Sequence, residues 1–171
     1  ELENDFLPFL YPNQYVNFSP DSEASKLALS MVSEDTTDVD ALKQIYNYVV
    51  NNLTYDYDKA ETVETGYLPD VDETLSSKTG ICFDYAALTT AMLRSCDIPC
   101  KLQIGYTGDI KHAWIDVYIR SKGWVTNAVS FNGDSWSLMD PTFDSSADSD
   151  DSEAIQDYIG NADNYTVQFT R

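Results

Sequence analysis

Positive charge is scarce in this sequence. Ten Lys and Arg stand against 29 Asp and Glu, a formal net charge of −19 at pH 7 over 171 residues. Such a surface repels polyanions, which argues against direct binding to nucleic acid or to an anionic membrane. Histidine is rarer still, with His112 the sole example. One imidazole and three cysteines without a paired motif cannot close a tetrahedral zinc site, so no metal is expected. No apolar run approaches bilayer-spanning length, so no integral membrane segment is expected. No leader is read within the sequence, and the chain begins at Glu1 rather than Met. We read that boundary as processed or trimmed, in keeping with an extracellular or cell-surface domain.

What is present fits a folded globule. The hydrophobic fraction is 43% and the aromatic fraction 13%, and the length suits one domain with a real core. A monomer is the expected state. Residues 1–37 read as an N-terminal arm and first helix packed on a main unit over 38–171. Acidic residues gather late, from Asp140 to Asp163, with no Lys or Arg among them. The run from Asp148 to Glu153 lacks the ligand spacing and central glycine of a calcium loop and reads as solvated.

Periodicity sketches the elements. Ser22 or Asp21 caps a helix to about Ser33, and Asp38 opens another in which Leu42, Ile45, Tyr46, Val49 and Val50 recur at helical spacing. Residues 53–57 look extended, and the polar stretch from Asp58 to Gly80 reads as one long loop. Ile81 to Ser95 is helical, with Thr79 or Gly80 as cap and Asp84 in the first turn, where a carboxylate suits the helix dipole. Leu102, Ile104 and Tyr106 alternate as a strand. So do His112 to Ile119, with His112, Trp114, Asp116 and Tyr118 on one face and Ala113, Ile115, Val117 and Ile119 on the other. Trp136 to Met139 reads as a strand stopped by Pro141. Tyr165 to Phe169 reads as a last strand, and Ile155 to Ile159 as a helical turn. Cys96 and Cys100 either pair locally, leaving Cys82 as the lone free thiol, or remain two buried thiols.

Cys82, His112 and Asp140 supply a thiol, an imidazole and a carboxylate in that order. Taken singly, each has an ordinary structural reading. Together they can act as nucleophile, base and orienter. A cysteine at a helix N-terminus gains thiolate character from the dipole, and its own N–H can face an oxyanion. Gly80 and Ala86 are small enough for close approach. His112 opens its strand and Asp140 closes another, so direct antiparallel pairing of the two strands would let the side chains meet. That geometry predicts Gly123 to Ser135 as an excursion off the sheet edge rather than an intervening strand.

These residues resemble the transglutaminase-like core. The resemblance rests on Gly80-Ile81-Cys82 with Asp84-Tyr85-Ala86, the Ile98-Pro99 turn, Gly105-Tyr106, His112-Ala113-Trp114, and Trp136 with Asp140-Pro141-Thr142, all in the family's order. The helix around Ile45 to Val50 and Tyr55-Asp56 match the lead-in of many bacterial members. The resemblance implies a papain-like α+β fold, with the catalytic Cys at the start of a helix packed on an antiparallel sheet that carries His and Asp. It implies Cys82 as nucleophile, His112 as base and Asp140 as orienter. Tyr55 and Trp114 are candidates for oxyanion or substrate contacts. The implied activity is cysteine-dependent acyl transfer or hydrolysis at peptide or amide bonds through a thioester, protease or amidase rather than crosslinking, on a peptide or protein substrate and without a cofactor. The alternative is a non-catalytic peptide- or glycan-binding module of a secreted or cell-surface protein. Three departures stand out: Asp97 replaces the family's usual glycine before Ile-Pro, Cys100-Lys101 follows that turn where Ala or Thr then Arg or Lys is common, and the interval from His to Asp is long.

Overall fold

The computed structural model describes residues 5–107, 110–131, 136–138 and 166–171. Among the described residues, four other α-helices and two sheets surround one central helix, α5 (Cys82–Ser95). Every residue of α5 from Phe83 to Arg94 is buried, so it is a core helix with no solvent-facing stripe over that span. On one side it meets α1 (Glu23–Met31), α2 (Asp38–Asn52) and α4 (Val71–Ser77). On the other it packs against β3 (Cys100–Thr107), β4 (Ile110–Ile119) and β5 (Gly123–Phe131). Ala113, Ile115, Val117 and Ile119 of β4 enter this core, as their alternation requires.

The main sheet is antiparallel in the order β6-β5-β4-β3-β7, with β6 at Trp136–Leu138 and β7 at Thr166–Thr170. The last strand therefore lies where the sequence placed it. The segment after Gly123 does not. It forms β5, paired with β4 from Ile119↔Gly123 to Ala113↔Phe131, and so intervenes between β4 and β6. The excursion expected over Gly123 to Ser135 is thus overturned as far as Phe131. A tight hairpin is the cause: Lys122 N–H donates to Ile119 O at 2.9 Å, and Gly123 takes φ +89°. A bulge between Ile115 and Val117 absorbs extra residues of β5. Asp116 holds it by accepting the Asn127 N–H at 2.8 Å, and Asn127 sits at φ +52°.

The long loop expected from Asp58 to Gly80 is also corrected, because it contains α3 (Tyr57–Thr62), α4 and a short strand β2 (Thr79–Gly80). Asp56 caps α3 through the Lys59 N–H, and Asp70 caps α4 through the N–H groups of Asp72 and Glu73. Thr79 and Gly80 do not cap α5, whose cap position is Ile81. They pair in parallel with β1 (Thr54–Tyr55), Tyr55 opposite Gly80. The expected turn at Ile155 to Ile159 lies outside the described residues.

On the open face of the sheet, the arm lays Phe6 and Phe9 against Trp124, with Tyr118 beside it. Buried Arg94 joins distant segments by donating to Tyr11 O, Cys100 O and Arg171 O. Its planar fork suits several carbonyls at once.

The C-terminus of α5 shows why a glycine would suit position 97. Asp97 takes φ +58°, Asp97 N–H donates to Arg94 O at 3.0 Å, and Ile98 N–H reaches Leu93 O at 3.1 Å. This is a Schellman closure with an aspartate at the left-handed position. Asp97→Gly is expected to stabilise the protein by about 1 kcal/mol, read as a higher urea midpoint at unchanged slope.

Candidate active site

Cys82 begins α5 and His112 lies near the start of β4. Both line one cavity of about 580 Å³. Its walls come from four places. Tyr15 comes from the arm, Tyr55 from β1, Ala60 and Val63 to Tyr67 from α3 and the segment after it, and Phe83, Ile104 and Ala113 from the core elements. Parallel pairing of β1 with β2 is what carries Tyr55 to the start of α5. Tyr55 also packs edge-on against Tyr57, with ring centroids 4.9 Å apart. Trp114, by contrast, is 2% exposed and is not among the lining residues, so the structure puts it in the interior rather than on the cavity wall. Asp140 lies outside the described residues. The direct pairing that was to bring it to His112 is not formed, since β5 separates β6 from β4.

The first turn of α5 is organised by a carboxylate with no exposure to water. Asp84 is 0% exposed. Its Oδ2 accepts from Ile81 N–H and from Lys59 Nζ, each at 2.9 Å, and its Oδ1 accepts from the Tyr67 hydroxyl. Lys59 Nζ also donates to Tyr67 Oη at 2.6 Å. Burial by itself lowers the Lys59 pKa, but the bonds to Tyr67 and Asp84 prevail and leave it raised. Burial, followed by the bond to Asp84, pushes the Tyr67 phenol up to about 12, so it remains a donor at neutral pH. A buried charge persists only when paired and hydrogen-bonded, and here both conditions hold.

Sequence reasoning missed Lys59, Tyr67 and Tyr15. The cap signal at Asp56 was available and would have placed Lys59 on a helix. No local pattern links Lys59 or Tyr67 to Asp84, and none draws Tyr15 toward Cys82.

The other two cysteines stand apart from this chemistry. Cys96 and Cys100 are free thiols rather than a bridge. Burial raises Cys96 to about 11 and Cys100 to about 12, so both resist thiolate formation.

The transglutaminase-like superfamily model matches residues 25–141, more than half of the chain. The chain belongs to the transglutaminase-like superfamily. This membership supports a cysteine-dependent hydrolase or acyltransferase kind and specifies no particular activity. The chain is 39% identical over 62 residues to UPF0252 protein MJ1282 of Methanocaldococcus jannaschii, covering 33% of this chain and 18% of that protein. It is 26% identical over 141 residues to the uncharacterised protein YebA of Bacillus subtilis, covering 69% of this chain and 19% of that one. The chain thus spans about a fifth of the length of these curated relatives. A crystal structure of a candidate cysteine protease from Cytophaga hutchinsonii shares the fold, with TM-score 0.57 and 24% identity over 78% of this chain and 43% of that one. The papain-like α+β architecture, with the cysteine helix packed on an antiparallel sheet, follows from these matches.

Two outcomes follow from the local geometry. A Cβ at Gly80 would stand 2.6 Å from Asp84 Cβ, so the close approach this glycine permits is to Asp84 and not to Cys82. Gly80→Ala is expected to cost about 1–3 kcal/mol in urea unfolding. Burial lowers the His112 pKa from its ordinary value of 6.5. Below that value the unfolded chain binds more protons than the folded one, so stability falls on acidification. In His112→Gln the loss of urea midpoint between pH 7 and pH 5 should be smaller than in the parent; a larger loss would contradict the assigned direction.

Proposed function

We propose that this domain performs cysteine-dependent acyl transfer at peptide or amide bonds, with hydrolysis as the main outcome. The observation that carries the reading is the placement of Cys82, at the start of the buried helix α5, in one cavity with the chain's only histidine.

The helix dipole favours the Cys82 thiolate, and His112 holds or takes its proton. The sulfur attacks the carbonyl carbon of a bound amide. Negative charge then develops on the carbonyl oxygen, where the N–H of Cys82 at the helix start is a donor. Collapse breaks the C–N bond, and the amine leaves with a proton from His112. The resulting thioester is attacked by water that His112 deprotonates, releasing the acid and the thiol. Asp140 serves as the partner that orients the imidazole, a role supported by its Asp-Pro-Thr motif. Glu64, Thr65 and His112 give the cavity a polar side by which water can reach the thioester, which supports hydrolysis over transfer to a second amine. Each step uses side chains, backbone and water, so no cofactor is invoked. Peptides or proteins are the proposed substrates.

The test is alkylation of the native protein by iodoacetamide across pH, read by intact mass. Cys82 should react well below the ordinary thiol range near pH 8.5, and His112→Ala should slow it about tenfold or more at pH 6. Asp140→Asn should give a smaller slowing. An ordinary thiol profile indifferent to His112 would remove the acyl-transfer reading and leave a non-catalytic binding module.

A further inference from the structure

Tyr67 is firmly held on the cavity wall. Its hydroxyl end is engaged twice, donating to Asp84 and accepting from Lys59. Its ring meets Phe83 edge-on, with centroids 6.2 Å apart and planes at 75°. The polar end therefore points into a closed cluster made by α3, the segment before α4 and the first turn of α5. The hydrocarbon of the ring is what remains for the cavity. The same cavity is lined by Tyr15, Tyr55, Val63, Phe83 and Ile104, and Glu64 is the one acid among its described lining residues. Pockets of this kind bind apolar groups through the area they remove from water, with a few polar groups to orient them. An acidic side chain would lose its hydration there and meet the Glu64 carboxylate.

We infer that Tyr67, held by Lys59 and Asp84, is a specificity-determining residue that makes this cavity a subsite for a large apolar or aromatic side chain next to the carbonyl attacked by Cys82. This rests on the acyl-transfer reading above. Lys59 is a positioning residue: it is not among the described lining residues and acts through Tyr67. A tyrosine tethered at its hydroxyl keeps its ring in place without an entropy cost on binding, which a freely turning ring would incur.

The test labels Cys82 with N-acetyl-phenylalanyl and N-acetyl-glutamyl chloromethyl ketones. In each, the sulfur bonds to the methylene carbon and chloride leaves. Rates are normalised to iodoacetamide alkylation of the same protein, so that a general change in thiol reactivity cancels. The parent should prefer the phenylalanyl reagent by about tenfold or more. Tyr67→Ala should abolish that preference. Tyr67→Phe, which removes both hydroxyl bonds, and Lys59→Met, which removes one of the two, leave the ring and should reduce it several-fold, and Lys59→Arg should restore part of it. In Tyr67→Phe and Lys59→Met, amide hydrogen exchange over residues 57–67 should quicken while that of β3 to β5 stays as in the parent. Equal rates with both ketones in the parent would overturn the subsite, as would a preference and an exchange pattern untouched in both tether variants. If iodoacetamide fails to label native Cys82, the acyl-transfer reading fails by itself. Titration with N-acetyl-phenylalaninamide, followed by chemical shifts, then decides the subsite: perturbation centred on Tyr67 upholds it and silence overturns it.

Discussion

The buried carboxylate of Asp84 is the interaction on which the site depends. With no water to solvate it, its charge is compensated by Lys59 and its lone pairs by Ile81 N–H and the Tyr67 hydroxyl. Removing any one donor exposes a desolvation cost that the remaining bonds do not cover. The chain is thus constrained in three places at once. Gly80 must lack a side chain, the first turn of α5 must keep its position, and the segment between α3 and α4 must lie against that turn. Cys82 sits inside this constraint, two residues before Asp84.

Around this point the fold divides its labour. Helix α5 is buried along nearly its whole length, between α1, α2 and α4 on one side and the antiparallel sheet on the other. A helix held on all sides cannot slide or roll without disturbing close-packed neighbours, so its N-terminus is a rigid mount for a nucleophile. The histidine comes from a strand that packs on the same helix. The cavity between them is closed by segments with little regular structure, including the arm at Tyr15 and the stretch after α3. Rigid elements position the reactive groups, and irregular ones shape what can reach them.

Much of this was legible from single residues. The apolar spacing in Leu42, Ile45 and Val49 marked α2, and the alternation after His112 marked β4 and its core face. The order of the cysteine and histidine motifs marked the family. Two readings went astray for definable reasons. The stretch from Asp58 to Gly80 was too polar to show a helical stripe, although Asp56 and Asp70 each signalled a cap. The segment after Gly123 was taken off the sheet to let two strands pair directly. The turn residues Ser121, Lys122 and Gly123 between apolar runs were the better guide, and they make a hairpin.

By itself the sequence determined the family, the identity of the candidate nucleophile and base, and the helices and strands whose apolar residues repeat with a clear period. These are local or ordered properties, readable along one dimension. The tertiary structure decided the rest: which residues wall the cavity, that Trp114 is interior, that β5 lies between β4 and β6, and that Lys59 and Tyr67 converge on Asp84. Those facts join residues far apart in the chain, and their cause is the need to satisfy one buried charge and to cover one buried helix. Neither need leaves a periodic mark in sequence, because it is met by whichever segments the fold brings within reach.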